Sequence, residues 1–140
     1  MSKKLWGSRF PKKTNALTDK FTSSISFDRR LAKYDILGSM AHAKMLGRQK
    51  IIPRKDAALL VRGLAALLKE VEKGKFKVDL RAEDIHSNIQ DALLSKVGQA
   101  AHKLHTARSR NDQIALDIRM YLKDEIDELV ELLMLLQGGI

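Results

Sequence analysis

Apolar residues recur every three or four positions along most of the chain, which is the spacing of one face of an α-helix. One series runs through residues 28–48, and a stronger one starts after Pro53 and stops at Gly74. Proline suits a first helical position and glycine a helix end, so the pattern predicts two helices. The link over residues 49–52 is short, which favours an antiparallel helical hairpin.

Two more helices are predicted, and no segment has the alternating pattern of a strand. Asp84 can cap a third helix that ends at Gly98, and the last begins at residue 109 or 110, where Ser109 and Asp112 have the spacing of a capping pair. Ser26 is the predicted N-cap of the first helix, and the aperiodic residues before it are predicted to form an extended arm. The fold class predicted is all-α.

Composition excludes several classes of protein. The 140 residues are 44% hydrophobic and 31% charged, which is too apolar for a disordered chain. No apolar run is long enough to cross a bilayer and no signal-peptide core follows the first residues, so an intracellular, cytoplasmic protein is expected. The absence of cysteine excludes disulfides, thiolate metal sites and cysteine nucleophiles.

The net charge of +9 is unevenly distributed. Residues 120–140 carry −4, which leaves +13 on residues 1–119. A positive field of this size attracts polyanions such as nucleic acid, and it attracts a polycarboxylate metabolite for the same reason. Charge alone therefore leaves both kinds of partner open.

One segment concentrates chemically useful side chains at the start of the last helix: Lys103-Leu-His-Thr-Ala-Arg-Ser-Arg-Asn-Asp-Gln113. A helix N-terminus offers free N–H groups and positive potential, and a guanidinium of Arg108 or Arg110 can bind a carboxylate through two hydrogen bonds. We interpret the segment as an anion-binding cradle suited to a dicarboxylate. A capped helix with solvated basic residues is the alternative interpretation.

Three motifs resemble the argininosuccinate lyases of the fumarase/aspartase superfamily and their δ-crystallin relatives. They are Leu5-Trp-Gly-Ser-Arg-Phe10, Ser23-Ser-Ile-Ser-Phe-Asp28, and Glu83-Asp-Ile-His86 followed by the 103–113 segment. The resemblance covers essentially the whole chain. It departs from the family at Ser8 and Ala107, where glycine is more usual, and a tight turn at the second position would favour glycine.

The resemblance implies the N-terminal helical domain of the fumarase/aspartase-like fold over residues 1–108, and the start of a truncated central helical bundle over residues 109–140. It implies β-elimination of argininosuccinate to arginine and fumarate, without a metal or organic cofactor, in a homotetramer. The proton-transfer serine and histidine belong to later motifs that do not occur before Ile140. The 140 residues are therefore expected to be the first part of a longer protein, inert alone and self-associating through the apolar stripe of the last helix.

The family's substrate contacts, carried over by motif, fall on three residues, with three more as supporting candidates near the pocket. The contacts are Ser24, Arg110 and Asn111, and the supporting residues are Asp84, His86 and Asp28. Each has a simpler structural explanation, since serine and aspartate commonly cap helices and a first-turn carboxylate is favoured by the helix dipole.

Two other functions remain as alternatives. Another lyase of the superfamily, acting on adenylosuccinate or aspartate, is not expected to combine these motifs. A basic helical nucleic-acid-binding module is suggested by the charge, but the basic residues do not follow one helix face and aromatic side chains for base stacking are sparse. Specific nucleic-acid binding and membrane binding are therefore not expected.

Overall fold

The computed structural model describes residues 15–139, and this part of the chain forms helices and loops without a strand. Six α-helices follow one another: α1 (Ala16–Thr22), α2 (Ile25–Asp28), α3 (Ala32–Arg48), α4 (Arg54–Glu72), α5 (Ile85–Val97) and α6 (Arg110–Gly138). Two 3₁₀ helices join them, Arg29–Leu31 before α3 and Gly98–His105 after α5. The all-α fold class is confirmed.

The core lies where α3, α4 and α5 pack together. The predicted hairpin of α3 and α4 forms the most extensive of the helix contacts, and α5 packs across both helices. The large side chains that are fully buried here are Ile36, Leu46, Leu60, Leu64, Leu67, Ile85 and Leu93. Burial of each such side chain contributes about 1.5–3 kcal/mol, so this apolar contact holds α5, and the functional residues at its start, against α3.

Most predicted helix ends are confirmed. Asp84 accepts a hydrogen bond from the Ser87 N–H and so caps α5, and Ser109 and Asp112 form a complete capping box at the start of α6. Gly74 and Gly98 follow α4 and α5 with φ near +60°, a conformation that glycine adopts without steric cost. Pro53 immediately precedes α4, one residue earlier than its predicted position.

The prediction of an extended arm at the start of the chain is wrong for the described residues of this segment. Residues 16–22 form a helix, α1, whose N-cap Asn15 accepts a hydrogen bond from the Leu17 N–H at 2.9 Å. Leu17 and Phe21 are 76% and 90% exposed, so α1 buries no apolar face and leaves no periodic signal in the sequence. Ser26 lies within α2, and Ser24 takes the N-cap position. The motif over residues 5–10 lies outside the described residues.

Among the described residues, helix α6 packs on the other helices only along its first half. Tyr121 makes an edge-to-face contact with Tyr34 of α3, with ring centroids 5.8 Å apart, and the Tyr34 hydroxyl donates to Asp124 at 2.9 Å. Beyond this point the large apolar side chains are about half exposed or more: Ile126, Leu129, Val130, Leu132, Leu133, Met134, Leu135 and Leu136. Even so, no described helix combines the length and the apolar character needed to span a membrane.

Candidate active site

A cavity of about 410 Å³ lies between α2, the start of α5 and the first turns of α6. Three of the six predicted site residues line it, namely Ser24, Asp28 and His86. Its other walls are largely apolar or aromatic and comprise Phe27, Arg30, Leu31, Ile114, Ile118, Tyr121 and Leu122. The cavity thus combines a polar corner with apolar walls, the usual composition of a small-molecule site.

Asp28 holds the polar corner together. Both of its carboxylate oxygens lie 3.2 Å from the N–H of Ile85, the first residue of α5, and the Ser24 hydroxyl donates to Oδ2 at 2.6 Å. The Ser24 N–H donates in turn to the carbonyl of Glu83 at 2.9 Å. A carboxylate is stabilised by the positive end of a helix dipole, here that of α5 and not of Asp28's own helix.

Asp84 and Arg110 connect the beginnings of α5 and α6. While Asp84 Oδ1 caps α5 through the Ser87 N–H at 2.7 Å, its Oδ2 lies 3.5 Å from Arg110 Nε. Arg110 also donates from Nη1 to the Gln113 side-chain oxygen at 3.0 Å. Both residues are partly buried, so this pairing fixes the direction of the Arg110 side chain beside the cavity.

The predicted anion cradle is only partly present at the start of α6. Asn111 is exposed there, and its N–H donates to the Ser109 hydroxyl at 3.2 Å. Arg108 turns inward instead, where Nη1 donates to the Ser39 hydroxyl at 2.9 Å. Ala107 has φ of 54°, the left-handed conformation that the more usual glycine would adopt more easily. Of the two arginines, Arg110 is therefore the one placed beside the other site residues.

A buried polar network behind the cavity was missed from the sequence. Its centre is Asp35 of α3, which accepts from the Gln113 amide at 2.5 Å and the Ser39 hydroxyl at 2.9 Å, both at Oδ1. Asp35 Oδ2 lies 3.0 Å from His86 Nδ1. The available signal was spacing, since Asp35 and Ser39, like Gln113 and Asp117, lie four residues apart on one helix face.

Asp117 of α6 completes this network without a hydrogen bond of its own. The side chain is fully buried, and its oxygens have no hydrogen-bond partner in the described part of the chain. Its Oδ2 lies 3.7 Å from His86 Nδ1. Burial and the nearby charge of Asp35 raise the pKa of Asp117 to about 7. Burial also opposes ionisation of Asp35, but the hydrogen bond and charge of His86, together with the hydrogen bonds from Gln113 and Ser39, outweigh it and lower the pKa of Asp35.

The same three side chains have the composition of a metal site. Ligand atoms from Asp35, His86 and Asp117 all lie within 4.8 Å of one another, and carboxylate with imidazole is a common zinc ligand set. The 3.0 Å contact between Asp35 and His86 is a normal hydrogen-bond length, however, and the positive charges of Arg108 and Arg110 act on Asp117. The hydrogen bond and the two nearby positive charges both disfavour a divalent cation here.

A second, larger cavity of about 590 Å³ lies between α3 and α4. Its lining consists of Lys44, Gly47, Arg48, Arg54, Ala57, Ala58, Val61 and Arg62. Four of these side chains are cationic and none is aromatic, so the cavity can attract an anion but offers no surface for base stacking. It gives no specific support to the nucleic-acid alternative.

Comparison with known proteins identifies the family. A family model described as lyase matches residues 8–140. An argininosuccinate lyase of Pelotomaculum thermopropionicum is 57% identical over 137 residues, which are 98% of this chain and 30% of that protein. One of Desulforamulus reducens is 58% identical over 130 residues, 93% of this chain and 28% of that protein. The chain thus spans about 30% of the length of the curated relatives it matches. It belongs to this lyase family, as its resemblance to the argininosuccinate lyases predicted.

Proposed function

We propose that this chain forms part of an argininosuccinate lyase, which releases arginine and fumarate from argininosuccinate by β-elimination. The observation that carries the proposal is the common cavity of Ser24, Asp28 and His86, residues that come from two separate family motifs. Arg110 and Asp84 are paired beside these motifs, at the N-termini of α6 and α5. Relatives of this chain named argininosuccinate lyase support the same function.

The reaction requires stabilisation of negative charge. A proton leaves the carbon beside a carboxylate, the electron pair moves into that carboxylate, and it returns to form the double bond of fumarate as the C–N bond breaks and the nitrogen is protonated. Preorganised cations and N–H donors lower the energy of the doubly charged intermediate. Ser24, Arg110 and Asn111 are the proposed substrate contacts, with Asp84, His86 and Asp28 supporting them. We assign the proton transfers to residues outside this sequence, and no metal or cofactor to the reaction.

The remaining features of the proposal concern the complete enzyme. We infer that it is a cytoplasmic homotetramer, that residues 1–108 and 109–140 belong to different domains, and that the present chain alone is inert. The exposed apolar side chains of α6, among them Leu129, Leu133 and Leu136, support association through this helix.

A chimera tests the function directly. The residues of the Pelotomaculum thermopropionicum lyase that align with this chain are replaced by the chain itself, and fumarate release from argininosuccinate is followed by its absorbance. The chimera should be active, and the chain alone should not be. Asn111→Leu removes a hydrogen-bond donor, and Arg110→Lys removes the planar guanidinium that can form two parallel hydrogen bonds. Each variant should therefore lower kcat/KM on the order of a hundredfold.

The control variant is Lys55→Gln, which removes an exposed charge from α4 and should leave kcat/KM unchanged. A chimera that folds and assembles like the parent enzyme but releases no fumarate would refute the proposed function. Normal kinetics in both the Asn111 and the Arg110 variants would refute only their assigned contacts.

Light scattering over a range of concentrations tests the association. The isolated chain should form dimers or larger species, and Leu129→Glu with Leu133→Glu should shift it toward the monomer, because charge on an apolar contact is costly to bury. Leu80→Glu is the control, since Leu80 is 65% exposed, against 55% for Leu129 and 52% for Leu133, and lies outside α6. A monomeric profile at all concentrations would contradict association through α6.

A further inference from the structure

His86 stands at the boundary between the buried network and the cavity. Its side chain is only 2% exposed, yet it lines the cavity together with Ser24 and Asp28. Its Nδ1 lies 3.0 Å from Asp35 Oδ2 on the opposite, fully buried side. Nδ1 is therefore hydrogen-bonded within the network, and Nε2 is the ring nitrogen that is available to a ligand in the cavity.

The hydrogen bonds of Asp35 determine whether Nδ1 of His86 carries a proton. Oδ1 of Asp35 already accepts two hydrogen bonds, from Gln113 and Ser39, and both favour the ionised form of the carboxylate. An ionised carboxylate only accepts hydrogen bonds, so the nitrogen that faces Oδ2 must carry a proton. In a neutral imidazole with Nδ1–H, the lone pair is on Nε2.

We propose that Asp35 is a positioning residue that fixes His86 as the Nδ1–H tautomer and thereby presents the Nε2 lone pair to the cavity. The neutral ring then accepts an N–H or O–H of a bound ligand, and on protonation it donates to a carboxylate instead. Besides Asp35, the titratable group that faces Nδ1 among the described residues is Asp117 on α6. The titratable or charged groups that line the cavity with His86 are Asp28, Arg30 and Tyr121. The catalytic consequence rests on the proposed function, whereas the tautomer does not.

The tautomer is measured by nuclear magnetic resonance of the histidine ring nitrogens in the labelled chain. Each of the four histidines gives a pattern of two-bond nitrogen–proton couplings that distinguishes the two tautomers, and His86→Gln identifies the His86 signal. When the ring is neutral, His86 should be the Nδ1–H tautomer. An Nε2–H pattern would overturn the proposal without any further variant.

Two variants test the origin of this preference. Asp35→Asn replaces a charge-assisted hydrogen bond by a neutral one, so the ratio of Nδ1–H to Nε2–H should fall on the order of tenfold. Ser39→Ala removes one donor to Asp35 but leaves the contact with His86, so the ratio should fall less than in Asp35→Asn. An equal change in both variants, or no change in either, would overturn the role of Asp35. If Asp35→Asn does not fold, the wild-type spectrum still tests the tautomer of His86. Ser39→Ala then tests the effect of weakening Asp35.

The chimera shows whether the enzyme uses this arrangement. Asp35→Asn should lower kcat more than it raises KM and should shift the pH profile of kcat, whereas Ser39→Ala should shift that profile less. A normal pH profile in Asp35→Asn would overturn the positioning role in catalysis. An inactive unsubstituted chimera would refute the proposed function but not the tautomer of His86, because the tautomer is measured without turnover.

Discussion

Asp117→Asn should make the chain more stable at high pH. The carboxyl of Asp117 is fully buried without a hydrogen-bond partner in the described residues, and burial followed by the charge of Asp35 raises its pKa from 3.8 to about 7. Asparagine has nearly the same shape and never ionises. The variant therefore removes the cost of burying a negative charge.

The sign and size of the effect follow from proton linkage. Between pH 4 and 7 the folded chain holds a proton on Asp117 that the unfolded chain has lost, so the free energy of unfolding falls as pH rises. A shift of about three pKa units at 1.36 kcal/mol per unit gives an upper bound of roughly 4 kcal/mol. This loss is complete above pH 7, and Asp117→Asn should escape it.

Urea denaturation at pH 5 and pH 8, followed by helical circular dichroism, measures the effect. The difference in unfolding free energy between variant and wild type should grow by roughly 2–3 kcal/mol from pH 5 to pH 8, because only the roughly two pH units between pH 5 and the folded pKa of about 7 contribute. Burial and the charge of Arg110 also lower the pKa of His105, but this group is common to both proteins, so its contribution cancels.

Asp91→Asn is the matched control, because Asp91 is exposed on α5. Its difference from wild type should be the same at both pH values. If Asp117→Asn behaved like this control, the carboxyl of Asp117 would be ionised in the folded chain at neutral pH. The reasoning about its burial would then be wrong.

Three backbone positions give further predictions, each checked by urea denaturation against wild type. Gly98→Ala should lower the free energy of unfolding by about 1–2 kcal/mol, because its φ of 62° and ψ of −146° belong to a region almost restricted to glycine. The control Gly138→Ala should be nearly neutral. Equal effects in the two variants would contradict this. Ala107→Gly should stabilise by up to about 1 kcal/mol by relieving the left-handed conformation, and a loss would show that no strain exists there. Gly63→Ala should cost about 1–3 kcal/mol, since its Cβ would lie 2.5 Å from Val97, and an unchanged stability would mean that α4 and α5 separate easily.

The four longer helices could be predicted from sequence because each carries apolar residues at helical spacing and has an identifiable end. Residue types with well-defined conformational roles marked these ends, such as glycine after α4 and the capping pair before α6. Helix α1 could not be predicted because its large apolar side chains face solvent. A helix of seven residues is also too short for a sustained hydrophobic period, so it leaves no trace in the pattern.

The candidate site was also predictable only in part. Ser24, Asp28 and His86 were identified by motif, but their common cavity depends on contacts between residues far apart in the chain. The polar partners behind them were missed, because Asp35 and Asp117 in a helical sequence look like residues of a solvated face. Only tertiary packing turns these carboxylates inward, and the sequence places them in different helices.

The contacts of Asp28 have a consequence for mutagenesis of this site. Its carboxylate joins the Ser24 hydroxyl to the first N–H of a helix 57 residues away. Ser24 and Asp28 are thus energetically coupled, and the effects of replacing each one singly will not sum to the effect of replacing both. A double-mutant cycle would report this coupling, whereas single alanine variants would count the shared hydrogen bond twice.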